Sequence, residues 1–365
     1  MATKSKVVET AFRFGCGRYI QEPGALARAG AEAVRLGAHH ALMIGGKTAL
    51  SLAGDALRKS LLAAGVAETT VEYPGFCNRE KAAEYAALAA REGWDLILAV
   101  GGGNLCDLGK LIAADAGLPV ITVPTSSATC AATTPLSVTY TVEYRAAGTV
   151  HHPREVDAVL ADMDILCRQP EHLFAAGVYD ALAKKIEIEQ RLQGKGEDEI
   201  DVGLAASFAL SHYTYERMTA LFEPACRELR QGCPGKALSD MIFLSVAATG
   251  VISGMARGSN QCAIAHKVYE GCRSLYSDKV RDKLHGELVA VGLIAQLYYN
   301  GEEDAVAPFR RGLTEHGLPD SLTALGLAGA EAADALYAYI LPTSAMAGTG
   351  DAEKERLREA LSQIG

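Results

Sequence analysis

The sequence predicts an α/β N-terminal half, built on a parallel sheet, followed by an all-α C-terminal half. Three observations carry this reading. From Phe12 to about Met163, short apolar runs alternate with Ala- and Leu-rich helical segments, the order that lays helices on both faces of a parallel sheet. After Asp164 the strand signals nearly vanish, and segments of helical period follow one another. Between Ala99 and Tyr140 the chain reads strand, glycine turn, helix, strand, then a Ser/Thr-rich loop, the arrangement of a nucleotide-binding unit.

In order, the first half is expected to hold a strand over 41–44, a helix over 50–64, a strand over 71–73 and a helix over 81–92. Strands over 96–100 and 120–123 complete the set. Helices are expected over 173–193, 199–215, 222–231, 236–253, 260–271, 285–299, 305–316 and 330–341, with 194–199 a solvated interhelical loop. The resulting domains are 1–163 and 164–365, and the cleft between two differently built halves is where a small-molecule site is expected.

Composition narrows the function classes. A chain of 365 residues, 49% hydrophobic and 22% charged, is long enough for two buried cores and ordinary for a soluble globular protein. Its net charge of -9, without a strongly basic run, argues against nucleic acid or an anionic membrane as partner. Met1 to Thr10 is polar, unlike a signal peptide, and no uninterrupted stretch reaches the roughly 18 apolar residues of a membrane span, so a cytoplasmic location is expected. The nine cysteines are scattered, with no Cys-x-x-Cys, which fits reduced thiols better than a disulfide framework.

The glycine turn is the first chemical signal. Gly101, Gly102 and Gly103 follow an apolar strand and precede Asn104, Leu105, Asp107 and Lys110. Without Cβ atoms the turn lets backbone N–H groups approach a diphosphate at the positive end of the next helix. Asp107 and Lys110 lie an i, i+3 step apart, a spacing that also suits a purely local ion pair. Behind this turn, with Thr125 and Thr129 close in sequence, a cofactor role is the preferred reading.

A second constellation lies in the helical half: Asp180 in Gly-Val-Tyr-Asp-Ala-Leu-Ala-Lys, His266 in Cys-Ala-Ile-Ala-His, and His285 in Leu-His-Gly-Glu. One carboxylate and two imidazoles suit a borderline divalent cation such as zinc and leave a position open for a substrate oxygen. Each also has a structural reading, as a helix cap, a core histidine or a first-turn residue. Spacing alone leaves both readings open.

Taken together, Gly-Gly-Gly-x-x-x-Asp-x-x-Lys at 101–110, Thr122-Val123-Pro124-Thr125, Leu136-Ser137-Val138-x-Tyr140, the Asp180 segment and the two histidine segments resemble the iron-containing alcohol dehydrogenase superfamily, in its glycerol dehydrogenase-like branch. The resemblance runs in order from Phe14-Gly15 to about Gly292. It implies a Rossmann-like dinucleotide-binding domain over 1–163 and a helical metal- and substrate-binding domain over 164–365. It makes Asp180, His266 and His285 catalytic metal ligands, for zinc in preference to iron. It places Gly101 to Leu105 on the pyrophosphate of NAD(H) or NADP(H), with Asp107, Lys110, Thr125, Ala128, Thr134, Leu136 and Tyr140 as further cofactor-binding residues. A homo-oligomer acting on a small molecule is implied as well.

Departures from the branch refine the substrate. Where glycerol dehydrogenases carry a polyol-contacting aspartate, this chain has Cys130. Loss of that anion suits a substrate that itself bears a carboxylate, and residues 128–138 are similar to hydroxycarboxylate dehydrogenases, which reduce 2-oxo acids. That reading ranks above glycerol or another polyol, above a dehydroquinate synthase-like cyclase, and above a non-catalytic nucleotide-binding descendant. Tyr179 stands where the branch usually has glycine, which places a phenol beside the substrate. Lys267 and Tyr269 stand where it usually has His-Asn-Gly, and for these two, readings as site residues and as outward-facing residues both stand. Gly46 and Lys47 follow the first strand without the aspartate typical of strict NAD users, so use of NADP(H) beside NAD(H) is expected.

Overall fold

The computed structural model describes residues 13–257 and 261–365; the polar segment Met1 to Thr10 and Asn260, the expected start of one helix, lie outside them. Eight strands are formed: β1 (Tyr19–Glu22), β2 (His40–Gly45), β3 (Ala67–Glu72), β4 (Leu96–Gly101), β5 (Val120–Pro124), β6 (Leu136–Tyr140), β7 (Ala146–His151) and β8 (Ala158–Asp162). Six of them make one sheet in the order β1-β8-β5-β4-β2-β3, and every pairing in it is parallel. The chain moves outward from β2 to β3, then returns to place β4 on the other side of β2. The strand order therefore reverses between β2 and β4, where Gly45 pairs with Val100.

Helices α1 (Ala29–Arg35), α2 (Lys47–Ala63), α3 (Arg79–Glu92) and α4 (Gly103–Ala116) connect these strands. Alternate residues of each strand face opposite sides of the sheet. Ala41 and Met43 pack with Leu57, Leu61 and Leu98 in one core. Leu42, Ile44 and Ile97 pack with Leu108 and Ile112 in another, which continues through Phe174 to Leu288 and Ile294 in the helical half. One apolar core thus joins the two halves.

Strands β1 and β8 and the antiparallel β6–β7 hairpin are additions to the strands expected from sequence. Beyond β8 every described element is helical: α5 (Met163–Leu166), α6 (Glu171–Leu192), α7 (Val202–Arg230), α8 (Lys236–Ile242), α9 (Thr249–Met255), α10 (Ile264–Leu275), α11 (His285–Asn300), α12 (Glu303–Glu315), α13 (Gly329–Ile340) and α14 (Asp351–Ser362), with short 3-10 turns between some of them. Helix α7 runs unbroken through Pro224, where two helices were expected. A π-helical turn at Phe243–Ala248 joins α8 to α9. The resulting stretch Lys236–Met255 has a mean hydropathy of 1.5, long and apolar enough to cross a membrane by length and composition, although Ser239, Asp240 and Ser245 interrupt its apolar run. It is 67% buried within the protein, and that packing accounts for its apolar character.

Candidate active site

Asp180, His266 and His285 are brought together from three helices. Asp180 lies midway along α6, His266 in the first turn of α10, and His285 at the first position of α11. These helices approach at backbone contact. A Cβ on Gly286 would lie 2.1 Å from the Ala176 carbonyl oxygen, and one on Gly177 would lie 2.0 Å from that of Ser127. Only hydrogen fits at either place, so α11 is seated on α6, and α6 on the loop that follows β5.

His285 Nε2 lies 3.2 Å and His266 Nε2 3.6 Å from Asp180 Oδ1, and one ligand atom from each residue lies within 4.8 Å of the others. Asp180 Oδ1 is buried without a hydrogen bond of acceptable geometry. An orphaned carboxylate oxygen facing two imidazole nitrogens is a donor set that a divalent cation would satisfy. Burial alone would raise the Asp180 carboxyl, but His285, Lys184 and His266 more than offset it and hold the group well below the usual carboxylate range.

Glu187, absent from the sequence reading, completes this arrangement. It is fully buried two turns beyond Asp180. Its Oε1 accepts from the Ala263 N–H at 2.7 Å and the His266 N–H at 2.9 Å, while its Oε2 accepts from His266 Nδ1. That bond fixes the tautomer and leaves the Nε2 lone pair for a metal. Lys184, also unassigned in sequence, stands between them on α6. The i, i+4, i+7 spacing of Asp180, Lys184 and Glu187 was the signal for both, since it sets the three on one helix face.

The glycine turn lies on the sheet side of the cleft. Gly101 has φ +153°, and a Cβ there would lie 2.9 Å from that of Leu105, so this turn needs glycine. Gly102 precedes α4 and Gly46 precedes α2, neither with a capping side chain. A Cβ at Gly102 would meet only Ser126 Oγ, at 3.6 Å, and one at Gly46 nothing within 4 Å. Two open helix N-termini therefore stand side by side where the strand order reverses, a crevice suited to a diphosphate. Asn104 and Leu105 fall in the first turn of α4, and Lys47 opens α2.

Lys110 and Asp107 tie the glycine-turn helix to the loops beside it. The Lys110 ammonium donates to the carbonyls of Ala131, at 2.6 Å, of Thr134, at 2.9 Å, and of Leu136, and pairs with Asp107 Oδ1 at 2.8 Å. Asp107 Oδ2 accepts from the Val138 N–H at 3.0 Å. With every donor committed, Lys110 pins the loop that holds Ala128, Cys130 and Thr134. Thr125 N–H donates to the Gly101 carbonyl at 3.1 Å, tying that loop to the glycine turn.

The four expected substrate residues separate. Half-buried Cys130 is within electrostatic reach of Asp180 and Lys184, and burial pushes its thiol up to about 11, so it is a neutral group there. The Tyr269 ring centroid lies 4.1 Å from that of His285, and its hydroxyl meets that of Tyr140 at 2.7 Å. Tyr179 instead stacks edge-on with Phe222 and Phe309, 5.9 and 5.0 Å away. One residue along a helix turns a side chain by about 100°, which sends Tyr179 into an aromatic cluster away from Asp180. Lys267 is held by both Glu270 oxygens, at 2.9 and 2.7 Å, and so is no free anchor.

Comparisons with known proteins show the family and the fold. Residues 16–163 match the family described as iron-containing alcohol dehydrogenase. A glycerol dehydrogenase of Pseudomonas putida is 30% identical over 79% of this chain and 78% of its own length. Hydroxycarboxylate dehydrogenase A of Escherichia coli (strain K12) is 30% identical over 69% and 68%. A crystal structure of a probable glycerol dehydrogenase from Sinorhizobium meliloti 1021 superposes with a TM-score of 0.83 over 97% of both chains at 21% identity, which shows the shared fold. The chain therefore belongs to the iron-containing alcohol dehydrogenase family, in its glycerol dehydrogenase-like branch, and is an NAD(P)-dependent, metal-containing dehydrogenase.

Proposed function

We propose that the protein interconverts small 2-oxo acids and 2-hydroxy acids, with Asp180, His266 and His285 holding a divalent metal, zinc in preference to iron. One histidine-rich set with a single carboxylate favours zinc among borderline cations. The observation that carries the substrate reading is Cys130: a neutral thiol stands beside Asp180 and Lys184 where a polyol dehydrogenase would place a carboxylate. An anionic substrate meets no like charge at that position.

When bound, the metal supplies polarisation of the substrate oxygen and the nicotinamide supplies the hydride. The chain's own residues orient and exclude. Glu187 fixes the His266 ring, Tyr269 packs on the His285 ring, and Lys110 holds the Cys130 loop against the glycine turn. Gly102 and Gly46 leave room for the dinucleotide, and Lys47 at the start of α2 is compatible with a 2′-phosphate.

Glycerol or a related polyol is the second reading, favoured by the Pseudomonas putida relative. The deciding experiment assays 2-oxo acids, dihydroxyacetone and glycerol with NAD(H) and NADP(H). Higher kcat/KM is expected for the 2-oxo acids, and Cys130→Asp is expected to move preference toward dihydroxyacetone by about 1–3 kcal/mol. A wild type that oxidises glycerol and ignores every 2-oxo and 2-hydroxy acid would replace this reading with the polyol one.

A further inference from the structure

Lys184 is only 4% exposed, on α6 one turn after Asp180 and one turn before Glu187. Other lysines of this half that lie partly buried are paired: Lys185 with Glu189 at 2.6 Å, Lys267 with Glu270 at 2.7 Å. Lys184 has no hydrogen bond or ion pair with any described residue. Asp180 and the other acidic groups around it keep the ammonium charged despite its burial, so Lys184 is a charged donor whose N–H groups are not spent on the protein and can take an anion that arrives from outside. The charged and polarisable groups that bear on it are Asp180, Cys130, Cys262 and Glu187, which places it between the metal triad and the Cys130 loop.

We propose that Lys184 is the counter-ion for the substrate carboxylate, holding it beside the carbonyl presented to the metal triad; this rests on the 2-oxo acid reading. The charge balance is consistent with it. Asp180 and Glu187 together neutralise a divalent cation, and Lys184 is then a surplus positive charge. An aspartate at position 130 would cancel that surplus and leave a site suited to a neutral polyol. With Cys130 the surplus remains, and a monoanionic 2-oxo acid neutralises it. Carboxylate and carbonyl are adjacent carbons in such a substrate, and the Cα atoms of Asp180 and Lys184 lie about 6 Å apart along the helix, so a lysine stem can serve the neighbouring group.

The test uses the metal-loaded enzyme with Lys184→Met, of similar length and without charge, and Lys184→Arg. The thermal midpoint and metal content of Lys184→Met are expected to stay close to the wild-type values. Its KM for pyruvate is expected to rise roughly 10–100-fold, on the scale of a charged hydrogen bond, while glycolaldehyde reduction changes little. Binding of oxamate, an unreactive carboxylate, to the NADH complex should weaken by the same factor, and Lys184→Arg should recover part of both. Equal losses for pyruvate and glycolaldehyde, or oxamate binding indifferent to the substitution, would overturn the assignment. The two proposals fail separately: a wild type that reduces no 2-oxo acid but binds oxamate through Lys184 refutes the substrate reading and supports the anchor. Pyruvate reduction unchanged in Lys184→Met does the reverse.

Discussion

Lys110 and Lys184 are both buried, at 3% and 4% exposure, yet the first is hydrogen-bonded to three carbonyls and paired with a carboxylate, whereas the second feels Asp180 and Glu187 only at longer range. Burial alone therefore says little about what a lysine does; its partners decide. In sequence, Lys110 reads as a cofactor residue because it follows a phosphate-type turn, and only the folded loop shows its donors spent on Ala131, Thr134 and Leu136. Glu187 was hidden for the opposite reason, since a glutamate in a helix ordinarily faces water. Because it holds His266 through Nδ1 and also accepts two backbone N–H groups, Glu187→Gln should release metal to a competing chelator with an affinity 10–100-fold weaker. Metal retention during graded chelation measures this directly, and equal retention would show that His266 needs no orienting carboxylate.

Among the elements, the β6–β7 hairpin owes its place on α4 to Ser137 and His152. Ser137 Oγ donates to the Asp107 carbonyl at 2.7 Å, and the same oxygen lies 2.7 Å from His152 Nε2. Burial, helped by nearby Lys110, lowers the His152 imidazole to about 3, so it is neutral in the folded protein. An unfolded histidine titrates near 6.5, so the unfolded chain binds the extra proton first. The stability His152 contributes is complete above about pH 6.5 and is lost as pH falls toward 3, by up to about 1.4 kcal/mol for each pH unit. His152→Asn should flatten that part of the acid limb in denaturant titrations run across pH, and parallel curves for the two proteins would refute it. The strands β2, β4 and β5 were legible because each is an apolar run between turn signals. The hairpin was not: Leu136–Tyr140 is rich in Ser and Thr, and Ala146–His151 is largely exposed. Helix α7 was split in the sequence reading at the approach to Pro224, where tertiary packing overrides the local preference of proline.

For the whole molecule, what sequence showed well was the inventory, and what it hid was convergence. Asp180, His266 and His285 were identifiable as residue types and by family resemblance, but their meeting depends on three helices spaced by Gly177 and Gly286 at contacts hundreds of atoms away in the chain. The proposed metal ligands lie on α6, α10 and α11, whereas the glycine turns lie at the ends of β2 and β4. Chelation should therefore abolish turnover while leaving NADH affinity essentially unchanged, as read by cofactor fluorescence; a parallel loss of both would mean the two sites are not separable. The seating of α6 on Ser127 also has a mechanical side. With no room for even a methyl group at Gly177, sliding α6 across the loop would first have to lift a carbonyl out of its notch. The contact thus works as a locating notch: it fixes how deep α6 sits, and with it Asp180 one turn on, against the same loop that carries Cys130.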